Sequence, residues 1–373
     1  MKRIMFLHSS SELYGSDKSL YNLVRNLDKS KFECIVILPE EGPLVGKISS
    51  IENTKVIINK IATLRRKNLS FKGIMVYMKN FLKSTIEMIH LIKENNIDVV
   101  YTNTSVVFPG AFAAKLTRKK NIWHVREIIS NKFERTLIKF IINTLADVII
   151  ANSKATGAAI SNNSKKVKVV YNAIENSNKE KTVIKSSNEN TIITIGMAGR
   201  INRWKGQKLF VDMAKLVVEK NSNVKFLIAG DVFKGEDFIL EDLKKHIKNN
   251  DLENYVELLG RVDDMTSFYD NLDIFILPSI QPEPFGLVVI EAMDRGVPVV
   301  ATNHGGPVEI IENNKDGFLV DYKNATEMSE VVTMLMNDEK LRYKIAKNAK
   351  EKRCTIFSIE NYVKSISIIL ENI

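Results

Sequence analysis

Cysteine is nearly missing: the chain of 373 residues holds two, Cys34 and Cys354. Far apart in sequence, they build neither a disulfide framework nor a Cys-rich zinc site, and they suit a reducing cytosol. Long hydrophobic runs are missing too. The most apolar stretch, residues 140–151, is broken by Asn143 and Asp147 and is too short to cross a bilayer, so no transmembrane segment is expected. Residues 1–7 open like a signal peptide, but the apolar run stops at His8-Ser9-Ser10 and reads as a first β-strand. Gly-x-Gly-x-x-Gly and the P-loop Gly-Lys-Ser/Thr are absent, which disfavours NAD enzymes and P-loop NTPases. No Gly-x-Ser-x-Gly elbow and no His-Glu-x-x-His zinc helix occur either.

What remains is an ordinary globular composition, 45% hydrophobic and 26% charged, long enough for two domains. The net charge of +10 is unevenly spread. Residues 1–180 hold 29 Lys and Arg against 15 Asp and Glu, a balance of +14; residues 181–373 hold 25 against 29, or −4. A basic first half points to a polyanionic or anionic partner there: nucleic acid, an anionic membrane surface or a phosphorylated substrate.

Short β-branched runs alternate with longer amphipathic stretches along the whole chain. Strands are predicted at 3–7, 34–38, 98–101, 148–151 and 168–170, then at 192–197, 225–229, 256–259, 274–277, 297–301 and 317–320. Helical patterns between them include 19–27, 74–94, 208–219, 286–295 and 325–336. This alternation predicts an α/β protein with parallel sheets covered by helices on both faces. The polar, aperiodic stretch 174–190 is the best linker. Two doubly wound domains are expected, 1–180 and 181–356, facing each other across a cleft.

The most specific segment is Leu277-Pro278-Ser279-Ile280-Gln281-Pro282-Glu283-Pro284-Phe285-Gly286-Leu287-Val288-Val289-Ile290-Glu291-Ala292. A strand is expected to end at Pro278 and a helix to begin around 284–286, with proline in its first turn. Amides of such a first turn, backed by the helix dipole, form an anion site, and Gly286 leaves room for a ligand to approach. Glu291 stands in an apolar run that reads as buried, so its carboxylate needs a partner such as sugar or ribose hydroxyls.

Glu283 and Glu291 together resemble the Glu-x7-Glu motif of retaining glycosyltransferases with the GT-B fold, most closely the large family 4. The likeness extends along the chain: Gly199-Arg200 and Trp204-Lys205-Gly206 are similar to the family's Gly-Arg…Lys-Gly segment. Gly230-Asp231, Gly260-Arg261, Gly305-Gly306 and Glu309 fall where the family places later loops. The resemblance implies two Rossmann-like domains and a nucleotide-sugar donor, UDP- or GDP-linked, held by the second. It implies that Arg200 and Lys205 grip the diphosphate and that Glu291 holds the ribose. Glu283, with the amides of Phe285, Gly286 and Leu287, would hold the transferring sugar and its phosphates. No cofactor and no metal are expected, because the two cations already oppose the leaving-group charge.

In the first domain, Tyr14-Gly15-Ser16-Asp17 occupies the place of the family's Gly-Gly-x-Glu loop, with Gly15 and Ser16 as candidates for an acceptor or phosphate contact. Trp123-His124-Val125-Arg126-Glu127, read as following a strand, resembles the family's His-containing loop, and His124 is the candidate for contact with the transferred sugar. Thr102, Asn103, Thr104 and Asn172 at strand ends are expected to line the acceptor side. The last stretch, 357–373, reads as a helix that crosses back to the first domain.

The reading is a cytoplasmic retaining hexosyltransferase, peripheral on the inner face of the cell membrane, that extends a surface glycan on a glycan or lipid-linked acceptor. Residues 61–83, with basic heads around an apolar stripe, are expected to lie in an anionic headgroup layer. Two alternatives stay open on sequence: a sugar-nucleotide epimerase of the same architecture, and a basic nucleic-acid-binding module. Nucleic acid is disfavoured as a partner because the basic half carries no recognisable motif for it.

Overall fold

A computed structural model of the chain describes residues 1–64, 70–163, 165–176 and 191–373. It divides into two units, Met1–Ala173 with Ile359–Ile373, and Ile174–Ser358.

The first unit carries strands β1 (Lys2–Leu7), β2 (Phe32–Leu38), β3 (Thr54–Ile58), β4 (Val99–Thr102), β5 (Lys120–Val125), β6 (Val148–Ala151) and β7 (Val167–Val169). Its helices are α1 (Gly15–Asn26), α2 (Pro43–Ser49), α3 (Phe71–Glu94), α4 (Pro109–Leu116), α5 (Lys132–Leu145) and α6 (Lys154–Ile160). All pairings are parallel, in the order β3-β2-β1-β4-β5-β6-β7. Strand alternation sends Ile4 and Phe6 to one face and Met5 and Leu7 to the other, and both sets are fully buried. The first set packs under Leu20, Leu23 and Val24 of α1; the second packs under Met88 and Ile92 of α3.

The second unit has β8 (Ile193–Ala198), β9 (Val224–Ala229), β10 (Val256–Gly260), β11 (Ile274–Leu277), β12 (Val299–Thr302) and β13 (Phe318–Val320). Helices α7 (Gln207–Val218), α8 (Asp237–Asn249), α9 (Met265–Asp270), α10 (Leu287–Asp294), α11 (Pro307–Ile310), α12 (Ala325–Asn337) and α13 (Glu339–Ile356) follow the strands. The sheet is again parallel, ordered β10-β9-β8-β11-β12-β13. The final helix α14 (Ile359–Asn372) belongs to the first unit, where Tyr362, Ile366 and Leu370 are buried beside β1 and α1. Phe357 stays in the second unit, edge-on to Phe285 at 5.9 Å.

In both sheets the order reverses at one point, between β1 and β4 and between β8 and β11. Loops leaving the strand C-termini diverge there, which opens a crevice for ligands.

The 61–83 segment departs from its expected form. Residues 65–69, with Arg65, Arg66, Lys67 and Leu69, lie outside the described residues, and the helix begins only at Phe71. Leu64, Tyr77 and Phe81 pack against the cluster around Trp123, so part of the apolar stripe is core. The other part is not: Ile74, Met75, Met78 and Leu82 remain exposed. A second exposed row, which the sequence reading did not single out, lies on α5 as Phe133, Leu137 and Phe140. No helix among the described residues is long and apolar enough to cross a membrane.

Candidate active site

In the second unit, the loops after β8 and β11 meet at the order reversal. Gly206, at φ +80°, allows the contact: a Cβ there would stand 1.8 Å from the Pro278 carbonyl oxygen, so only glycine fits. Asn202 Oδ1 accepts from the amides of Trp204 and Lys205, at 3.1 and 2.9 Å, and the Ile280 amide donates to the Trp204 carbonyl at 2.9 Å. This frame aims Lys205 across the loop. Its Nζ donates to both oxygens of Glu283, at 2.9 and 2.7 Å, and lies 4.6 Å from the Trp204 ring centre. Ser279 Oγ donates to Glu283 Oε2 at 3.0 Å. The Glu283 carbonyl accepts the Gly306 amide at 2.7 Å, and Gly305 approaches so closely that a Cβ would lie 2.3 Å from that oxygen. Glu283 is 8% exposed and held from three sides.

Arg200, at the end of β8, places its guanidinium 3.4 Å over the Phe233 ring, while its carbonyl accepts from Gln207 Nε2 at 3.0 Å. Stacking fixes the plane of the guanidinium fork. The Ser279 carbonyl takes bonds from Thr302 Oγ1 at 2.8 Å and from His304 Nε2 at 2.7 Å, and His304 stacks on Tyr322.

Two expectations about this segment need correction, those on the helix start and on the burial of Glu291. The helix starts at Leu287, so Pro284 lies ahead of it and not in its first turn. Gly286 is also required by its backbone, φ +103° at the N-cap, while a Cβ there would make ordinary contacts with protein atoms from 3.4 Å. Glu291 is half-buried although Val289, Ile290, Ala292 and Met293 are wholly buried, because the helical period turns position 291 outward. Its partner is the buried Tyr269, whose hydroxyl donates at 2.8 Å. Burial, then the Glu291 charge, raise the Tyr269 phenol well above its usual range, so it stays a donor.

In the first unit, Gly15 and Ser16 open α1. Asp17 turns inward: its Oδ2 accepts the Tyr14 amide at 2.8 Å and its Oδ1 lies 2.6 Å from His8 Nε2. Burial opposes ionisation of Asp17, but the hydrogen bond and charge of His8 and the Tyr14 amide outweigh it and lower its carboxyl below the ordinary value. His124 stands inside β5, not in a loop after it, and is fully buried. Its Nδ1 is 2.6 Å from Tyr101 Oη and 3.2 Å from Arg126 Nη2. Burial, then the Arg126 charge, push the imidazole well below the usual histidine range, so it is neutral. Asn103 and Asn172 are buried ligands of the Arg126 guanidinium, at 2.8 and 2.7 Å, and Thr104 donates to Glu127 at 3.0 Å. All three are buried, and they hold Arg126 and Glu127. Arg126 itself was overlooked in sequence, although it stands two residues from His124 and a buried arginine needs many acceptors.

Two parallel-sheet Rossmann-like units, with a Lys205–Glu283 pair beside the order reversal of the second, are the architecture of GT-B glycosyltransferases. Residues 14–177 match the model of Glycosyltransferase Family 4, and residues 177–352 that of Glycosyl transferases group 1. The chain belongs to this family. It is 34% identical over 179 residues to the capsular polysaccharide biosynthesis glycosyltransferase CapM of Staphylococcus aureus, covering 48% of this chain and 45% of that one, so it spans about half of that relative's length. It is 25% identical to the Escherichia coli UDP-Gal:alpha-D-GlcNAc-diphosphoundecaprenol alpha-1,3-galactosyltransferase, over 91% of this chain and 89% of that one. Anabaena HepE, crystallised in complex with UDP and glucose, superposes with a TM-score of 0.81 at 23% identity over the whole of both chains, a likeness of fold.

Proposed function

We propose that the protein transfers a hexosyl unit from a UDP- or GDP-sugar to a glycan or lipid-linked acceptor, with retention of anomeric configuration, in the synthesis of a surface polysaccharide. The observation that carries this is the Lys205–Glu283 pair, bonded at 2.7 Å at the C-terminal edge of a parallel sheet beside the N-terminus of α10. When the glycosidic bond to a nucleoside diphosphate breaks, negative charge grows on the departing phosphate. Lys205 and Arg200 meet that charge, each charge-assisted bond contributing about 1.5–3 kcal/mol. The Gly286 and Leu287 amides, in the opening turn of α10, add the helix N-terminus to the same anion. Glu283, freed from Lys205 as the phosphate takes the ammonium, accepts hydroxyls of the sugar; Glu291 with Tyr269 holds the ribose. We assign His124 a contact with the transferred sugar, and Gly15 and Ser16 a contact with the acceptor.

Retention follows a front-face path in which the leaving phosphate takes the acceptor proton. No side chain then serves as nucleophile, and no metal is needed. The activity of the Escherichia coli relative favours a UDP-linked donor and a lipid diphosphate acceptor. An acceptor of that kind calls for a protein lying on the membrane. Exposed Ile74, Met75, Met78 and Leu82 alongside Lys72, Lys79 and Lys83 on α3, and Phe133, Leu137 and Phe140 on α5, supply apolar contact and positive charge for an anionic leaflet.

The test is a panel of UDP- and GDP-sugars screened by thermal stabilisation, then transfer to a synthetic lipid-diphosphate sugar with the product anomer read by NMR. Stabilisation by one nucleotide series and an axial product from an axial donor are expected. No stabilisation by any nucleotide sugar, or inversion, would overturn the reading.

A further inference from the structure

Arg126 is 6% exposed, and among the described residues its guanidinium is bonded to neutral acceptors. Its guanidinium has five N–H donors, and each finds a neutral acceptor. Nε donates to Asn103 Oδ1 at 2.8 Å; Nη1 to Ser19 Oγ at 2.9 Å and Asn172 Oδ1 at 2.7 Å; Nη2 to Tyr362 Oη at 2.9 Å and His124 Nδ1 at 3.2 Å. These acceptors come from α1, the loops after β4 and β7, β5, and the terminal helix α14. Arginine accepts nothing, so the direction of every bond is determined.

That direction settles the state of His124. Tyr101 Oη, 2.6 Å from Nδ1, would serve either tautomer, since a hydroxyl both donates and accepts. Arg126 removes the ambiguity. Facing an obligate donor, Nδ1 must accept, Tyr101 must donate, and the single proton of the neutral ring must sit on Nε2. Nε2 is buried and meets no acceptor among the described residues.

We propose that Arg126 is a positioning residue that fixes His124 as an Nε2–H donor toward an oxygen of the transferred sugar, and that Tyr362, supplied by the C-terminal helix, fixes Arg126. This rests on the reading that His124 meets that sugar. Tyr362 Oη accepts from Nη2 and lies 3.1 Å from Ser19 Oγ, so one hydroxyl touches both the guanidinium and another of its acceptors. The last fifteen residues thereby reach the chemistry without touching substrate.

The experiment uses the full chain labelled with ¹⁵N-histidine, the His124 signals being identified by their loss in His124→Ala. Long-range proton–nitrogen spectra report which ring nitrogen carries the proton. The wild type should show one neutral tautomer, protonated at Nε2. Tyr101→Phe should keep it, because Arg126 alone compels it; Arg126→Gln should mix the tautomers, and Tyr362→Phe should shift toward the mixture. Both latter variants should lose about ten- to a hundredfold in kcat, with the donor KM within twofold, as expected for a misdirected group. An Nδ1-protonated wild type, tautomer mixing in Tyr101→Phe, or a folded Tyr362→Phe with wild-type spectrum and kcat would each overturn the proposal. The wild-type and Tyr101→Phe spectra decide even where Arg126→Gln fails to fold. Full activity of His124→Ala would instead remove the underlying role of His124, a result separable from the tautomer readout.

Discussion

Replacing Glu283 by alanine deletes the acceptor of two bonds from Lys205 and one from Ser279, and leaves an ammonium whose side chain is 15% exposed. Breaking a fully buried pair from one side costs about 3–5 kcal/mol. Some water reaches Lys205, so about 2 kcal/mol is expected here, which lowers the melting temperature of a unit of this size by about 4–8 °C and leaves it folded at 25 °C. The rate should fall far more. A preorganised group lost from the transition state costs about 10²–10³ in kcat, or roughly 3–4 kcal/mol. Lys205→Ala should match it, because the same pair is broken and the diphosphate loses a cation. Glu283→Gln, which keeps the shape and an acceptor oxygen but not the charge, should fall between. Initial rates at saturating donor, beside thermal melts of each variant, separate the two effects. A folded Glu283→Ala protein turning over within a few-fold of wild type would refute the assignment of the site.

Glu291→Ala and Tyr269→Phe should chiefly raise the donor KM, by about tenfold for the former, with kcat little changed; initial-rate kinetics at varied donor check this. Activity should survive exhaustive chelation, and a loss restored only by Mg²⁺ or Mn²⁺ would count against metal-free transfer. The Asp17 carboxyl is lower in the folded than in the unfolded chain, so its stabilisation is complete above its unfolded value, near pH 4, and is lost as pH falls through the folded one. Asp17→Asn should therefore flatten the acid limb of a melting-temperature profile. Flotation with liposomes should require anionic lipid, weaken at high salt and drop when Phe133 and Phe140 become serine; equal recovery on neutral vesicles would sink the membrane contact.

The architecture was legible because buried parallel strands are short runs of β-branched residues: 148–151 and 274–277 coincide with β6 and β11. β3 was not, since at the sheet edge none of its five residues is fully buried and its apolar run, Val56-Ile57-Ile58, is only three residues long. The Trp123–Val125 part of β5 was misread as a loop because His124 looks polar, whereas Arg126 and Tyr101 engage its Nδ1 inside the sheet. Around Glu283 the structure brings Lys205 and Ser279 onto one carboxylate. The Lys205–Glu283 bond spans 78 positions, a distance no local pattern encodes. The pairs Glu291–Tyr269 and His8–Asp17 escaped for different reasons. Tyr269 reads as a core aromatic, and His8 has no motif around it.

The route of α14 sets an order on how the molecule is made. The first unit's sheet is buried on one face by Leu20 and Leu23 of α1 and by Tyr362, Ile366 and Leu370, residues separated by nearly the whole chain. A ribosome delivers domains from the N-terminus, and each usually closes as it emerges. Here the second unit, with its own core from Ile193 to Ile345, has all it needs before α14 exists. Within that unit Arg353 bonds the carbonyls of Ile174 and Glu175, and Ile174 pairs with Ser358, so its entry and exit strands are clasped together. The unit begun first is therefore finished last. Until the final helix arrives, the apolar groove beside β1 is an unfilled seat, and a nascent chain cut short near its end would carry one sound domain and one that chaperones must hold.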